Sequence, residues 1–307
     1  MNTFYKYFEF CKSKKIKFTV ILGSGYHKEA LGNHSILSNW EALLSKLSNS
    51  NNFSKKLTLE FEKIINRRTK LQSEKASNKI EELEIKHIAN HLRIEQDWIL
   101  SQEDRFIYPN VFNPKYVSDV ISLNFDYIAE EKTKKYFNYS EAVNWENRSS
   151  FLNEKTKDIF NNTSFREIII NKNDKIRFWY PHGSYLKHDS IVLGVNKYSN
   201  LVKNVIRIRK HYKANERNNK IDLTWYSQIV ENPVIILGAS VSEAEWALWS
   251  AFVYSKRNFG KKGNIENPIF KMMSREESIV NNEWFFPLYK DMDFSTQWEK
   301  LEELFNQ

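Results

Sequence analysis

The chain has 307 residues, of which 41% are hydrophobic, 27% charged and 15% aromatic, a composition that is globular rather than that of a disordered chain. One cysteine, Cys11, excludes an internal disulfide and any zinc site built from several thiolates. A net charge of +8 implies attraction for polyanions, although Lys and Arg are dispersed, with their densest groups in KSKKIK at 12–17, RIRKHYK at 207–213 and Lys261–Lys262.

The N-terminal stretch MNTFYKYFEFCKSKK has no continuous apolar core and no small-residue cleavage site, so it does not read as a signal peptide. No apolar run approaches the ~20 residues needed to span a bilayer. The expected location is the cytoplasm.

In chain order, the first clear element is IKFTVILGSGYHKEALG, which predicts a strand over 18–22, a turn at Gly23-Ser24-Gly25 and a helix beyond. Between 51 and 104 there is neither Gly nor Pro, and apolar residues recur at three and four: Leu57, Phe61, Ile64 and Ile65, then Ile80, Leu83, Ile88 and Leu92. That spacing predicts two amphipathic helices, taken as a helical insertion at about 51–105. A second strand with its turn at Asn124 follows in DVISLNFDYIAEEKTKKYF. The stretch 129–168 reads as a second helix-rich excursion.

KIRFWYPHGSYL gives a third strand, with Trp179 and Tyr180 buried in it, ending at His182-Gly183-Ser184. NPVIILGASVSEAEWALWSAFVYSKR gives a fourth strand over 234–237, a turn at Gly238-Ala239-Ser240 and a helix whose Trp246 and Trp249 are spaced like core residues. NPIFKMM at 267–273 predicts an edge strand. A last helix covers STQWEKLEELF, with Ser295 as its cap and Trp298, Leu301, Leu304 and Phe305 on one face.

Strands apolar on both faces and alternating with helices predict one Rossmann-like α/β domain over 1–307: a parallel sheet with helices on both faces and a helical insertion. In such sheets ligands bind outside the carboxyl ends of the strands. Gly23-Ser24-Gly25, Asn124, Asp126, His182 and Gly238-Ala239-Ser240 should therefore gather in one crevice. Glycine turns at helix N-termini would offer backbone N–H groups to a phosphate.

The dinucleotide fingerprint is incomplete, because Lys28 stands where the third glycine belongs and Glu41 lies in the helix-like NWEALL. A nicotinamide dehydrogenase is disfavoured on that count. No HExxH pair is present, His27 and His34 are separated across a predicted turn, and no GxSxG elbow, Walker loop or kinase set occurs, so neither a metal site nor those chemistries are expected.

Gly23-Ser24-Gly25, Ser122-Leu123-Asn124-Phe125-Asp126, His182-Gly183 and Gly238-Ala239-Ser240 stand in that order. In this the chain resembles the sirtuin-like proteins, and within them the bacterial sirtuin-like NAD glycohydrolases of phage defence. NWEALL at 39–44 and IVLGVNKY at 191–198 also look like that branch, and the likeness covers about 17–260.

The resemblance implies Asn124 as catalytic amide and His182 as catalytic histidine. It implies Gly23, Ser24 and Gly25 around the NAD phosphates, Gly238 and Ser240 on the adenosine side, Gly183 among the NAD-binding residues, and Asp126 bracing the pocket. NAD would be the substrate. The four-cysteine zinc module of sirtuin deacetylases cannot exist in a chain with one cysteine, so no metal is implied, and water rather than an acyl-lysine is the expected acceptor. An abortive-infection effector must be held off until triggered. The resemblance therefore implies a homo-oligomer, a separate sensor such as a DNA-translocating ATPase or Argonaute-like protein, or both.

The chemistry suits those residue types. Nicotinamide leaves from a cationic pyridinium through an oxocarbenium-like state, which needs fixed geometry and a neutral hydrogen-bonding group more than a strong nucleophile. Asn supplies a donor and an acceptor on a short stem, and His can orient or deprotonate a hydroxyl or water. Two other readings stay open: a pocket that senses NAD or ADP-ribose without turnover, and transfer of ADP-ribose to a protein or nucleic acid, the latter drawing on the basic stretch around Arg207–Lys213. Direct nucleic-acid binding has that stretch alone behind it.

Overall fold

A computed structural model describes residues 3–31, 37, 40–48, 57–68, 74–101, 108–139, 141, 143–147, 160–215, 223–241, 245–259, 267–279 and 284–307. Among the described residues, eight strands are β1 (Phe18–Leu22), β2 (Val117–Ser122), β3 (Trp145–Asn147), β4 (Ser164–Ile169), β5 (Lys175–Trp179), β6 (Val234–Leu237), β7 (Ile269–Lys271) and β8 (Phe286–Pro287). They form one sheet in the order β3-β4-β5-β2-β1-β6-β7-β8. From β5 to β8 every pairing is parallel, while β3-β4-β5 run antiparallel. The fold is a mixed, mostly parallel, Rossmann-like α/β fold.

From β1 the chain steps to β2, passes to the edge at β3 and comes back through β4 to β5, then crosses to place β6, β7 and β8 on the other side of β1. The order therefore reverses between β1 and β6, the point where such sheets leave a crevice.

Helices flank the strands in chain order: α1 (Thr3–Lys14), α2 (Gly25–Leu31), α3 (Trp40–Ser48), α4 (Leu57–Arg68), α5 (Glu74–Ser101), α6 (Ile128–Tyr136), α7 (Phe160–Thr163), α8 (Val195–Asn215), α9 (Trp225–Glu231), α10 (Trp246–Phe259), α11 (Arg275–Ile279) and α12 (Phe294–Phe305). The two-residue alternation of a strand divides the core. Val20, Val120, Phe178 and Ile235 face a cluster built with α1, α5 and α12, where Phe8, Ile88 and Leu301 are buried. Ile21, Ile121, Trp179 and Ile236 face a second cluster built with α8, α9 and α10, where Val205, Trp225 and Phe252 are buried. Both faces of the sheet are covered. Among the described residues no helix is long and apolar enough to cross a membrane.

β1 and β6 occupy the expected positions, and α4 and α5 fall within the segment read as an insertion. Elsewhere the fold departs from the sequence reading. The stretch 129–168 is helical only at α6 and α7, among its described residues, and also holds β3 and β4. β4 forms because Phe165 and Ile168 pair across to Trp179 and Ile176 of β5, a long-range contact that overrides local preference. β7 is internal, since β8 pairs outside it. The cap of α12 is Asp293, whose carboxylate accepts the Thr296 N–H at 2.8 Å, and Ser295 already lies inside the helix. Trp246 is no core residue: it opens α10 at 43% exposure, whereas Trp249 packs beside Phe252 and Phe285.

Candidate active site

The turns after β1 and β6 meet main chain to main chain. Gly23 N–H donates to the Leu237 carbonyl at 2.9 Å and Gly25 N–H to the Gly238 carbonyl at 2.8 Å. A Cβ on Gly23 would sit 2.5 Å from that same Gly238 oxygen, so glycine is required for the two turns to touch. Gly238 has φ +62°, and a Cβ there would meet the Tyr26 nitrogen at 2.5 Å.

This packing changes what the first turn can offer a ligand. The N–H groups of Gly23, Gly25, Tyr26, His27 and Lys28 all have acceptors within the protein, which leaves the half-buried Ser24 as the group facing outward. The second turn is more open, with Ala239 half-buried and Ser240 exposed. It does not lead straight into a helix, because α10 starts only at Trp246. Val241, β-branched and buried, is held at φ +44°, a conformation that costs about 1–3 kcal/mol for a non-glycine residue.

Asn124 lies just past β2 and is 4% exposed. Its amide nitrogen is 3.4 Å from His27 Nε2, and the same ring nitrogen is 2.8 Å from Asp126 Oδ2. A proton on Nε2 is donated to the carboxylate, which fixes that tautomer. Asp126 Oδ1 accepts the Ile128 N–H at 3.0 Å, the first N–H of α6, so one carboxylate anchors a helix start and holds a histidine. His27 is a site residue that sequence reading weighed only as a metal ligand. Its position two residues past the Gly23–Gly25 turn, at the carboxyl end of β1, was the signal for it.

His182 follows β5, beside β2. Its Nε2 stands 3.4 Å from Glu245 Oε2, and the ring also hydrogen-bonds the backbone of Leu123, next to Asn124. Burial alone would depress its pKa, but Glu245, with the Leu123 backbone, carries it above the ordinary value. Burial pushes the Glu245 carboxyl up, and His182 outweighs this to hold it below its ordinary value. Glu245 is a second residue absent from the sequence reading, in the segment leading into α10.

The loop carrying His182 is stitched to the Asn124 loop. Tyr185 N–H donates to the Phe125 carbonyl at 3.0 Å, and the Tyr127 hydroxyl bonds the Ser184 hydroxyl. Gly183, at φ +85°, lets the loop fold back so that Val192 N–H reaches the His182 carbonyl at 2.7 Å. Behind it, buried Glu130 accepts from Arg166 Nε at 2.9 Å and from the Tyr180 hydroxyl at 2.9 Å. Burial pushes the Glu130 carboxyl up to about 7, against the pull of Arg166 and Tyr180.

All the sequence-proposed residues thus lie on one edge of the sheet. The turns with Gly23, Ser24, Gly25, Gly238 and Ser240 are in direct contact, and those with Asn124, Asp126, His182 and Gly183 are bonded to one another. His27 joins the two pairs. Asn124 and His182 share no hydrogen bond: the first faces His27, the second Glu245. The edge offers a neutral amide, two imidazoles each beside a carboxylate, and no thiol. Among the described residues no cluster of His, Cys, Asp or Glu is arranged to hold a metal ion.

No protein-family model matches the chain, and no curated protein matches its sequence.

Proposed function

We propose that the chain is an NAD glycohydrolase, cleaving NAD to nicotinamide and ADP-ribose, and that it serves as an abortive-infection effector held inactive until triggered. The observation that carries the reading is the meeting of four strand tips at the reversal of strand order, with a buried Asn and a carboxylate-paired His on adjacent tips. The sirtuin-like order of motifs supports the choice of substrate. The defence role, and restraint by oligomerisation or a sensor such as a DNA-translocating ATPase or Argonaute-like protein, rest on that resemblance.

In this reading the ribose lies over Asn124 and His182. The bond from C1′ to the pyridinium nitrogen breaks with its electron pair leaving on nicotinamide, and water adds to C1′. His182 takes the proton released by the water. Asn124 holds a ribose hydroxyl or the water by its neutral amide, with no anion to trap the sugar. Ser24, Ala239 and Ser240 face the phosphates and the adenosine side.

Nicotinamide release from NAD by the purified chain, alone and with its neighbouring gene products, is the test. Asn124→Ala and His182→Ala should each lower turnover by at least ~100-fold, within the contribution expected of a positioned acid–base group, with circular dichroism unchanged. Undiminished turnover in either variant would move the chemistry to other residues. Absence of nicotinamide release under every condition, with NAD still bound, would favour the sensing reading.

A further inference from the structure

We propose that the exposed face of α8 is a docking surface for the phosphodiester backbone of nucleic acid. The inference is independent of the NAD reading and draws on a different part of the molecule.

α8 carries Lys197, Lys203, Arg207, Arg209, Lys210 and Lys213 and no acidic residue along its 21 positions. Lys203, Arg207, Lys210 and Lys213 are exposed, and none of the four has an ion pair or hydrogen-bond partner among the described residues. At 100° per residue they fall within an arc of about 120°, and at ~1.5 Å per residue they form a row about 15 Å long. The remaining cations of the helix are already used: Lys197 donates to the Asp189 carbonyl at 2.8 Å, and Arg209 stacks on the Tyr254 ring.

Among the described residues, the neighbouring elements do not neutralise this row. α9 and α10 pack on α8 and hold one acid between them, Glu231, which accepts the Tyr212 hydroxyl at 3.0 Å. α10 adds Lys256 and Arg257. α7 has no charged residue. The acids of α4 lie toward the other end: Glu62 accepts the Val195 N–H at 2.7 Å, at the first residue of α8, and Glu60 pairs with Lys63. Cations in a last turn complement helix carbonyls, which accounts for Lys213 but not for Lys203 and Arg207 in mid-helix.

The row fits a strand of phosphates better than a bilayer. A membrane-lying helix presents a broad apolar face beside its cations. Here that face, with Leu201, Val205 and Ile208, is sealed in the core, and Ile206 is the one large apolar residue exposed among the cations. A row of about 15 Å spans roughly four to five base steps at 3.4 Å each, so four cations can each meet a phosphate. The recognition is of backbone charge, without base readout. α8 begins beside the active-site edge, where its Tyr198 hydroxyl accepts the Trp246 N–H at 3.1 Å, so a bound strand would run from that edge outward.

The test is fluorescence anisotropy of the full chain with a labelled duplex of about 20 base pairs and with single-stranded DNA and RNA of that length, titrated between about 50 and 200 mM salt. Four phosphate contacts predict a slope of log affinity on log salt of about −3.6 for duplex and about −2.8 for single strands. The variant K203Q/R207Q/K210Q/K213Q should flatten the slope toward zero and weaken binding on the order of 100-fold. A control variant, K6Q/K14Q/K172Q/K290Q, removes the same charge elsewhere and should keep the slope and stay within about twofold. Equal losses in both variants would reduce the effect to net charge and overturn the proposal. So would absence of wild-type binding at the low-salt end, or equal binding to poly-glutamate or to phosphatidylserine vesicles.

Discussion

His182 and Glu245 are an ion pair whose two pKa shifts have opposite consequences for pH. The raised histidine contributes stability that is complete below its ordinary value of 6.5 and lost as pH rises through the folded value. The depressed glutamate contributes stability present above its ordinary value of 4.5 and lost as pH falls through the folded one. Glu245→Gln should therefore cost most stability between those two ordinary values and less on either side, read from urea midpoints across pH. Without the carboxylate, burial leaves the ring pKa lower. If His182 accepts the proton from water, the acidic limb of the NAD hydrolysis profile must move to lower pH in Glu245→Gln, and an unmoved limb would remove His182 from that role. Asn124 and His182 were legible because a polar residue directly after an apolar run marks a strand tip. For His27 the sequence offered its place after the first turn but not its partners, and for Glu245 not even that, because their meaning lies in contacts far off in sequence: His27 meets Asn124 across 97 positions.

Among the elements, the central strands were the most legible, since FTVIL and VIIL are apolar on both faces and need cover on both sides. β4 was hidden by its mixed composition: Arg166 and Glu167 interrupt the apolar run, yet both are buried, with Arg166 satisfied by Glu130 and Glu167 within 3.3 Å of Lys175. Such a strand is specified by partners in α6 and β5 rather than by its own alternation. The start of α12 makes a sharper case, because Ser and Asp are both good caps and only the backbone decides between them. Asp293→Ala should cost about 1 kcal/mol, read as a lower urea midpoint at unchanged m-value, whereas Ser295→Ala should be neutral within ~0.5 kcal/mol. The reverse ranking would return the helix start to Ser295.

At the scale of the whole molecule, the last helix closes the sheet it follows. α12 buries Trp298, Leu301, Leu304 and Phe305 in the cluster with α1, and Glu302 accepts the Asn110 and Val111 N–H groups at 3.1 Å. Its Gln297 amide donates to the carbonyls of Met273 and Met292 at 2.7 and 3.0 Å. Each buried apolar side chain is worth about 1.5–3 kcal/mol, so four together rival the 5–15 kcal/mol that holds a typical domain. A chain ending at Asp293 should lose cooperative thermal unfolding and bind a hydrophobic dye, and a sharp calorimetric transition in it would show that the sheet stands without α12. Strand order itself was not legible, since apolar runs do not say which neighbours they take. Placing β6 beside β1 is a property of the assembled core.

The seam between Gly23, Gly25 and Gly238 carries a consequence for heredity. A side chain added at Gly25 or Gly238 would meet main chain, and one added at Gly23 would meet main chain and the short, unbending Cβ of Ala239, so no flexible side chain is there to give way. Descendants of this gene can enlarge one of the three residues only by reshaping the opposite turn in the same step, and these distant codons are tied into a single unit of variation.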